Sequence, residues 1–158
     1  MNPIKFTGIK EDVANKVSSS LNILLADYHV FYINLRGLHW NIKGQRFFAL
    51  HEKFEELYDD VAEKIDEIAE RILSLGNTPL HSMSKFIENA GIKEAINVSD
   101  SEESIMVVLE NFKHLIAEQR KIMELADGNG DEATNAMMSD YISGQEKEVW
   151  LLSSSLRK

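Results

Sequence analysis

The sequence predicts an all-α fold, a four-helix bundle, and three observations carry that reading. Proline is confined to Pro3 and Pro79, so nothing interrupts helical periodicity between residues 10 and 75 or after residue 80. Apolar residues recur every three or four positions through four long segments. Glycine-bearing turns separate these segments, except for one connection of more than 20 residues between the second and third.

The chain has 158 residues, which suits a single domain spanning 1–158 with a short flexible amino-terminal segment of about residues 1–10. The first helical stripe is Val13, Val17, Leu21, Leu24, Tyr28, Phe31, Leu35 and Leu38, with Gly37 and Gly44 as its expected stops. The second begins near Phe47 and runs through Phe54, Leu57, Val61, Ile65, Ile68 and Ile72 to Gly76-Asn77-Thr78-Pro79, a glycine-then-proline stop signal. In the long crossover, Met83, Phe86 and Ile87 have helical spacing and predict a short extra helix. Ser99 and Glu102 have the spacing of a capping box before the third helix, which carries Ile105, Val108, Phe112, Leu115 and Ile122. Asp127-Gly128-Asn129-Gly130-Asp131 breaks that helix, and Met137, Tyr141, Val149 and Leu152 mark the fourth. Two helical hairpins joined by one long crossover form the ferritin-like bundle pattern.

Composition narrows the chemistry. There is no cysteine, which excludes disulfides and thiolate metal sites, so redox work requires a metal. No apolar run approaches the roughly 18 residues of a membrane span and no apolar signal core opens the chain, so a soluble, cytoplasmic protein is expected. The formal net charge of -9 opposes broad attraction to phosphate backbones and favours cations.

The second helix carries the candidate site. With about 100° and 1.5 Å per residue, and His51 placed at zero, Glu55 falls near 40°, Asp66 near 60° and Glu70 near 100°. These four side chains share one face beside the core-facing stripe. Along the axis, however, the His51/Glu55 pair lies about 22 Å from the Asp66/Glu70 pair, too far for one chain to join them. Two copies packed antiparallel about a two-fold axis near Asp60 or Val61 would bring each His51/Glu55 pair to the other copy's Asp66/Glu70. Ala62 and Ala69 on the same face would allow close approach, whereas Asp59 on that face has no role in the scheme. His39, at the end of the first helix, would add a second imidazole through the turn before Phe47. Imidazoles with carboxylates suit iron, with zinc as a possible substitute. The competing reading is a solvated acidic face paired with Lys53, Lys64 or Arg71. An intrachain di-iron site built on Glu-x-x-His is disfavoured, because no glutamate stands three residues before any histidine.

Leu38-His39-Trp40-Asn41, Gly44, Phe47-Phe48, Leu50 through Phe54, Tyr58, and Asp66-Glu67-Ile68-Ala69-Glu70-Arg71 resemble the signature of the Dps family of mini-ferritins. The resemblance continues through Gly76, Pro79, Glu88-Asn89-Ala90, Gly130-Asp131, Thr134-Asn135 and Glu146-Lys147 before Trp150. It implies a homododecameric shell, built from two-fold dimers, that oxidises Fe(II) with hydrogen peroxide or oxygen and stores ferric mineral against oxidative stress. It implies His39, His51 and Glu55 as ligands from one chain and Asp66 and Glu70 from its two-fold partner, with glutamate at 55 where aspartate is common. It also implies Trp40 as a nearby redox aromatic and Asp127, Asp131 and Glu132 as carboxylates of a three-fold pore. Ala136 departs from an aspartate common there, which leaves Asp140 as a substitute. Lys5, Lys10, Arg157 and Lys158 are the only basic residues near the ends, so direct DNA binding is not expected. A DNA-binding shell with little oxidase turnover is the alternative function.

Overall fold

The computed structural model describes residues 2–156. Six helices are present among them: α1 Ile4–Thr7, α2 Glu11–Asn41, α3 Phe47–Ser74, α4 Met83–Asn89, α5 Ser101–Asp127 and α6 Glu132–Ser155. The four long helices pair as α2 with α3 and α5 with α6, and α2 joins the pairs by packing on both α5 and the short crossover helix α4. The fold is the expected all-helical ferritin-like bundle. Its core takes Leu21, Leu24, Tyr28, Phe31 and Leu35 from α2, Phe54, Ile68 and Ile72 from α3, and Ile105, Val108 and Leu115 from α5.

Several boundaries differ from the sequence reading for local reasons. α2 continues through Gly37, where burial of Leu35 and Leu38 outweighs the roughly 1 kcal/mol that an interior glycine costs. Asn41 closes the helix by donating from Nδ2 to the Gly37 carbonyl at 2.8 Å. Gly76 does end α3, with φ of 80° in the left-handed region. The cap of α5 is Asp100, whose Oδ1 accepts from the Glu102 and Glu103 N–H groups at 2.9 and 3.0 Å, in place of Ser99. The expected flexible leader contains the α1 turn, with Ile4 buried and Asn2 Oδ1 accepting from the Ile4 N–H at 3.1 Å.

The crossover is held down by α2 side chains. Buried Asp27 accepts from the Gly91 and Ile92 N–H groups at 2.6 and 3.0 Å and from His114 Nε2 at 2.9 Å. Two turns later, Asn34 donates to the Lys93 carbonyl at 2.9 Å and accepts from the Ala95 N–H at 2.8 Å. Lys43 N–H, in the turn between α2 and α3, then donates to the Ser99 carbonyl at 3.1 Å. The crossover thereby braces the turn that brings His39 to His51.

His29 stacks on Phe86 of α4, with ring centroids 3.7 Å apart. Burial lowers the His29 pKa, so the folded state favours the neutral ring. The resulting stabilisation is full above the unfolded value near 6.5 and is lost as pH falls through the depressed folded value. Urea unfolding between pH 8 and pH 5, as round limits about that value, is expected to show a decline in stability that flattens in His29→Gln. An equal decline in that variant would assign the pH dependence elsewhere.

Candidate metal centre

Two antiparallel helices and the turn between them build half of a site. His39 lies at the end of α2 and His51 in the second turn of α3, and their rings stack with centroids 3.7 Å apart. The contact is locked reciprocally. His39 Nδ1 lies 2.7 Å from the His51 carbonyl oxygen, and His51 Nδ1 lies 2.9 Å from the His39 carbonyl oxygen. A carbonyl oxygen only accepts, so each Nδ1 carries a hydrogen, which leaves Nε2 as the nitrogen each ring can offer to a metal. This is the tautomer that a metal-binding imidazole needs. Phe47 stacks on His51 at 5.1 Å, and Tyr58 meets His39 edge-on at 5.3 Å, fixing both planes.

Glu55, one turn beyond His51, completes a cluster: one donor atom from each of His39, His51 and Glu55 lies within 4.8 Å of the others. Partial desolvation, followed by the Glu55 and Asp59 carboxylates, pushes the Tyr58 phenol above its ordinary pKa. Asp59 therefore contributes to the negative field of this corner. His39 is buried, His51 half-buried and Glu55 exposed, so the cluster opens outward from the bundle.

Asp66 and Glu70 do not join that cluster within the chain. They lie farther along α3, both exposed, beside exposed Ala62 and half-buried Ala69. The cations that would neutralise a merely solvated face are committed elsewhere. Lys53 pairs with Glu56 and Glu148, Lys64 with Asp60, and Arg71 with Asp131. Among the described residues, the side chains of Glu55, Asp66 and Glu70 take part in no ion pair or hydrogen bond. Three carboxylates without partners and the His51 imidazole on one face of α3, with the His39 imidazole brought beside His51 from α2, are a donor set that suits a cation.

At the middle of the bundle, buried polar side chains of three helices bond one another. Tyr28 donates to Gln119 Oε1 at 2.6 Å, Gln119 Nε2 donates to Gln145 Oε1 at 2.7 Å, and Gln145 Nε2 donates to the Tyr28 oxygen at 2.6 Å. This closed ring satisfies these polar atoms at the centre of the bundle with one another.

Comparison with known proteins agrees with this architecture. The ferritin-like domain family matches residues 19–158. The DNA protection during starvation protein of Porphyromonas gingivalis is 44% identical over 155 residues, covering 98% of each chain. The crystal structure of a Dps protein from Vibrio cholerae O1 superposes with a TM-score of 0.93 at 49% identity over 94% of each chain. This chain belongs to the Dps family. The Vibrio protein is described as a member of a superfamily of ferritin-like diiron-carboxylate proteins. A Dps crystal structure from Bacillus brevis has a TM-score of 0.90 at 38% identity, covering 94% of this chain and all of the other.

Within this Dps-family chain, the residues considered for a pore divide. Asp127, Glu132 and Asp140 are exposed, and Asp127 Oδ1 accepts from Asn135 Nδ2 at 3.1 Å. Asp131, read from the sequence as a pore carboxylate or equally as a helix cap, is engaged within the subunit. It is 1% exposed, and both of its carboxylate oxygens are taken within the subunit. Oδ1 accepts from Arg71 at 2.5 Å and from the Thr134 N–H at 3.1 Å, while Oδ2 accepts from the Thr134 hydroxyl at 2.7 Å. It caps α6 and ties that helix to α3. Asp131→Ala is expected to lose about 2–4 kcal/mol, from the missing cap and the stranded Arg71. Urea unfolding measures the loss, and a change below about 0.5 kcal/mol would restore Asp131 as a candidate pore residue.

Trp40 follows His39 and is 58% exposed, with the Arg36 guanidinium 4.9 Å from its ring centroid. Arg36 also donates to the Tyr32 hydroxyl at 2.8 Å. Residues 157 and 158, the basic carboxy-terminal residues Arg157 and Lys158, lie outside the described residues. No helix of the described residues is long and apolar enough to cross a membrane. Sequence reasoning missed Tyr58 and Phe47 as supports of the imidazoles. Their signal was positional, because residues four before and seven after His51 share its side of the helix.

Proposed function

We propose that this chain is the subunit of a ferroxidase shell that oxidises Fe(II) at sites shared by two-fold partners and stores the ferric product. The observation that carries the reading is the outward-facing His39–His51–Glu55 cluster, with both imidazoles held through Nδ1 so that Nε2 is left for a metal, and with Glu55 in no ion pair among the described residues. Asp66 and Glu70 of the two-fold partner complete each site, and twelve subunits form the shell, as the family resemblance implies.

Ferrous iron is the substrate. His39 and His51 donate neutral nitrogen to it, and the carboxylates supply charge that favours the ferric product. Two ferrous ions held together give hydrogen peroxide one electron each: two Fe(II), one peroxide and two protons yield two Fe(III) and two waters. Pairing the electrons avoids the single-electron step that releases hydroxyl radical. Exposed Asp127, Glu132 and Asp140 supply the acidic passage for cations. Lys5 and Lys10 are exposed but stand beside Glu11 and Asp12, so DNA contact forms no part of the proposal.

The test is anaerobic loading of the purified protein with Fe(II), followed by rapid mixing with peroxide or with oxygen. Ferric absorbance and trapped hydroxyl radical are recorded. Fast oxidation by about one peroxide per two irons, with little radical, is expected. Oxidation no faster than in a protein-free control would remove the enzymatic reading and leave the fold.

A further inference from the structure

The seam between α3 and α6 contains a contact that the shared site does not use. Tyr141 of α6 is 6% exposed, and its hydroxyl donates to Glu67 Oε2 of α3 at 2.5 Å. Among the described residues, it is the only one of the four tyrosines whose phenol is bonded to a carboxylate. Tyr28 donates to an amide oxygen, which cannot take its proton. The Tyr32 oxygen accepts from the Arg36 guanidinium, and that cation opposes removal of an electron. Arg36 lies over Trp40 with the same effect.

We propose that Tyr141, with Glu67 as its proton acceptor, is a one-electron redox site that captures stray radical oxidants. An electron passes from the Tyr141 ring to a hydroxyl radical, giving hydroxide, and the phenol proton moves along the existing hydrogen bond to Glu67. A neutral tyrosyl radical and a protonated Glu67 remain. Burial, and then the Glu67 carboxylate, raises the phenol pKa above its ordinary value, which disfavours loss of the proton ahead of the electron. The hydrogen bond to Glu67 gives the proton a path to leave with the electron.

The surroundings suit that product. Lys64 Nζ lies 5.1 Å from the Tyr141 ring centroid but is paired with Asp60, and a neutral radical places no new charge beside it. Tyr28 meets Tyr141 edge-on at 6.2 Å and keeps water from its inner side. The cleft in front of Tyr141 is also lined by Glu67, Glu70 and Asp140. Glu70 is a ligand under the proposed function, so the redox pair borders the place where ferrous iron and peroxide meet. An electron from ferrous iron, with the proton returned by Glu67, regenerates the phenol; this return step alone rests on the ferroxidase reading.

The capture step is tested without iron. Metal-free protein is flashed with photogenerated ruthenium(III) tris-bipyridine, freeze-quenched and examined by electron paramagnetic resonance. A neutral tyrosyl signal is expected in the parent and in Tyr32→Phe and Tyr58→Phe, with most of it lost in Tyr141→Phe. Glu67→Gln keeps a hydrogen-bond acceptor but cannot take the proton. It is expected to slow radical formation on the order of a hundredfold, the low end of what a positioned base contributes. A signal of parent size in Tyr141→Phe, or an unchanged rate in Glu67→Gln, overturns the proposal. Because no metal is present, neither outcome depends on whether the protein oxidises iron.

Discussion

Shells assembled only from His51→Ala subunits, or only from Asp66→Ala subunits, are expected to oxidise ferrous iron on the order of a hundredfold more slowly than the parent. Loss of a group that only hydrogen-bonds a ligand already costs about 10–100-fold at metal sites, so loss of a ligand itself takes that figure as a lower bound. Neither side chain bears on the core, since His51 is half-buried and Asp66 exposed, so folding should survive both changes. The decisive experiment is the mixture. In a two-fold dimer of one His51→Ala and one Asp66→Ala subunit, one site loses both ligands and the other keeps both. Random mixing makes half of the dimers of this kind, so about one quarter of all sites, and of the activity, should return. Verified hetero-oligomers with no recovery would sink the shared site, because a site within one chain predicts no complementation. Parent-like activity in the His51→Ala shell would remove that residue from the chemistry altogether.

The sequence pattern and the structure agree best where the controlling interactions are local. The long helices, the Gly76 stop and the crossover helix rest on periodicity and turn chemistry within a few residues. The common face of His51, Glu55, Asp66 and Glu70 is likewise a property of one helix, and the wheel places it. The reciprocal lock between His39 and His51 was not legible, because it depends on the turn geometry between α2 and α3 and on backbone carbonyls. Asp131 shows the limit more sharply. Read locally, it is an acidic residue in an acidic turn, suited equally to a cap or a pore; its partner Arg71 is 60 residues away and invisible to local spacing. The same holds for Tyr141 and Glu67, 74 residues apart on facing helices. Ser99 lost the capping role to Asp100 by one position, an error that spacing alone cannot correct.

The largest effect on stability is expected away from the metal-binding face, at Asp27. Its carboxylate is fully buried and gathers three donors, two of them crossover peptide groups and the third the His114 ring. In Asp27→Ala all three donors lose their acceptor, the Ile92 N–H in a buried position, which argues for a loss of about 3–5 kcal/mol by urea unfolding. Asp27→Asn separates charge from hydrogen bonding. Its carbonyl oxygen can still accept from Gly91 and Ile92, and its amide can donate to the other tautomer of His114, so the loss should be much smaller. Damage equal to that of Ala would mean that the negative charge, rather than the number of acceptors, holds the crossover. Gly91 belongs to the same arrangement, since a Cβ there would fall 2.6 Å from His114 Cε1. Amide hydrogen exchange offers a local reading: residues 91–95 should lose protection in Asp27→Ala before the long helices do. If the crossover braces the turn through Ser99 and Lys43, exchange at Lys43 should rise with it, and ferrous oxidation should weaken less than in His51→Ala. Protection unchanged at both places would leave Asp27 as a core residue with no hold on the geometry of the site.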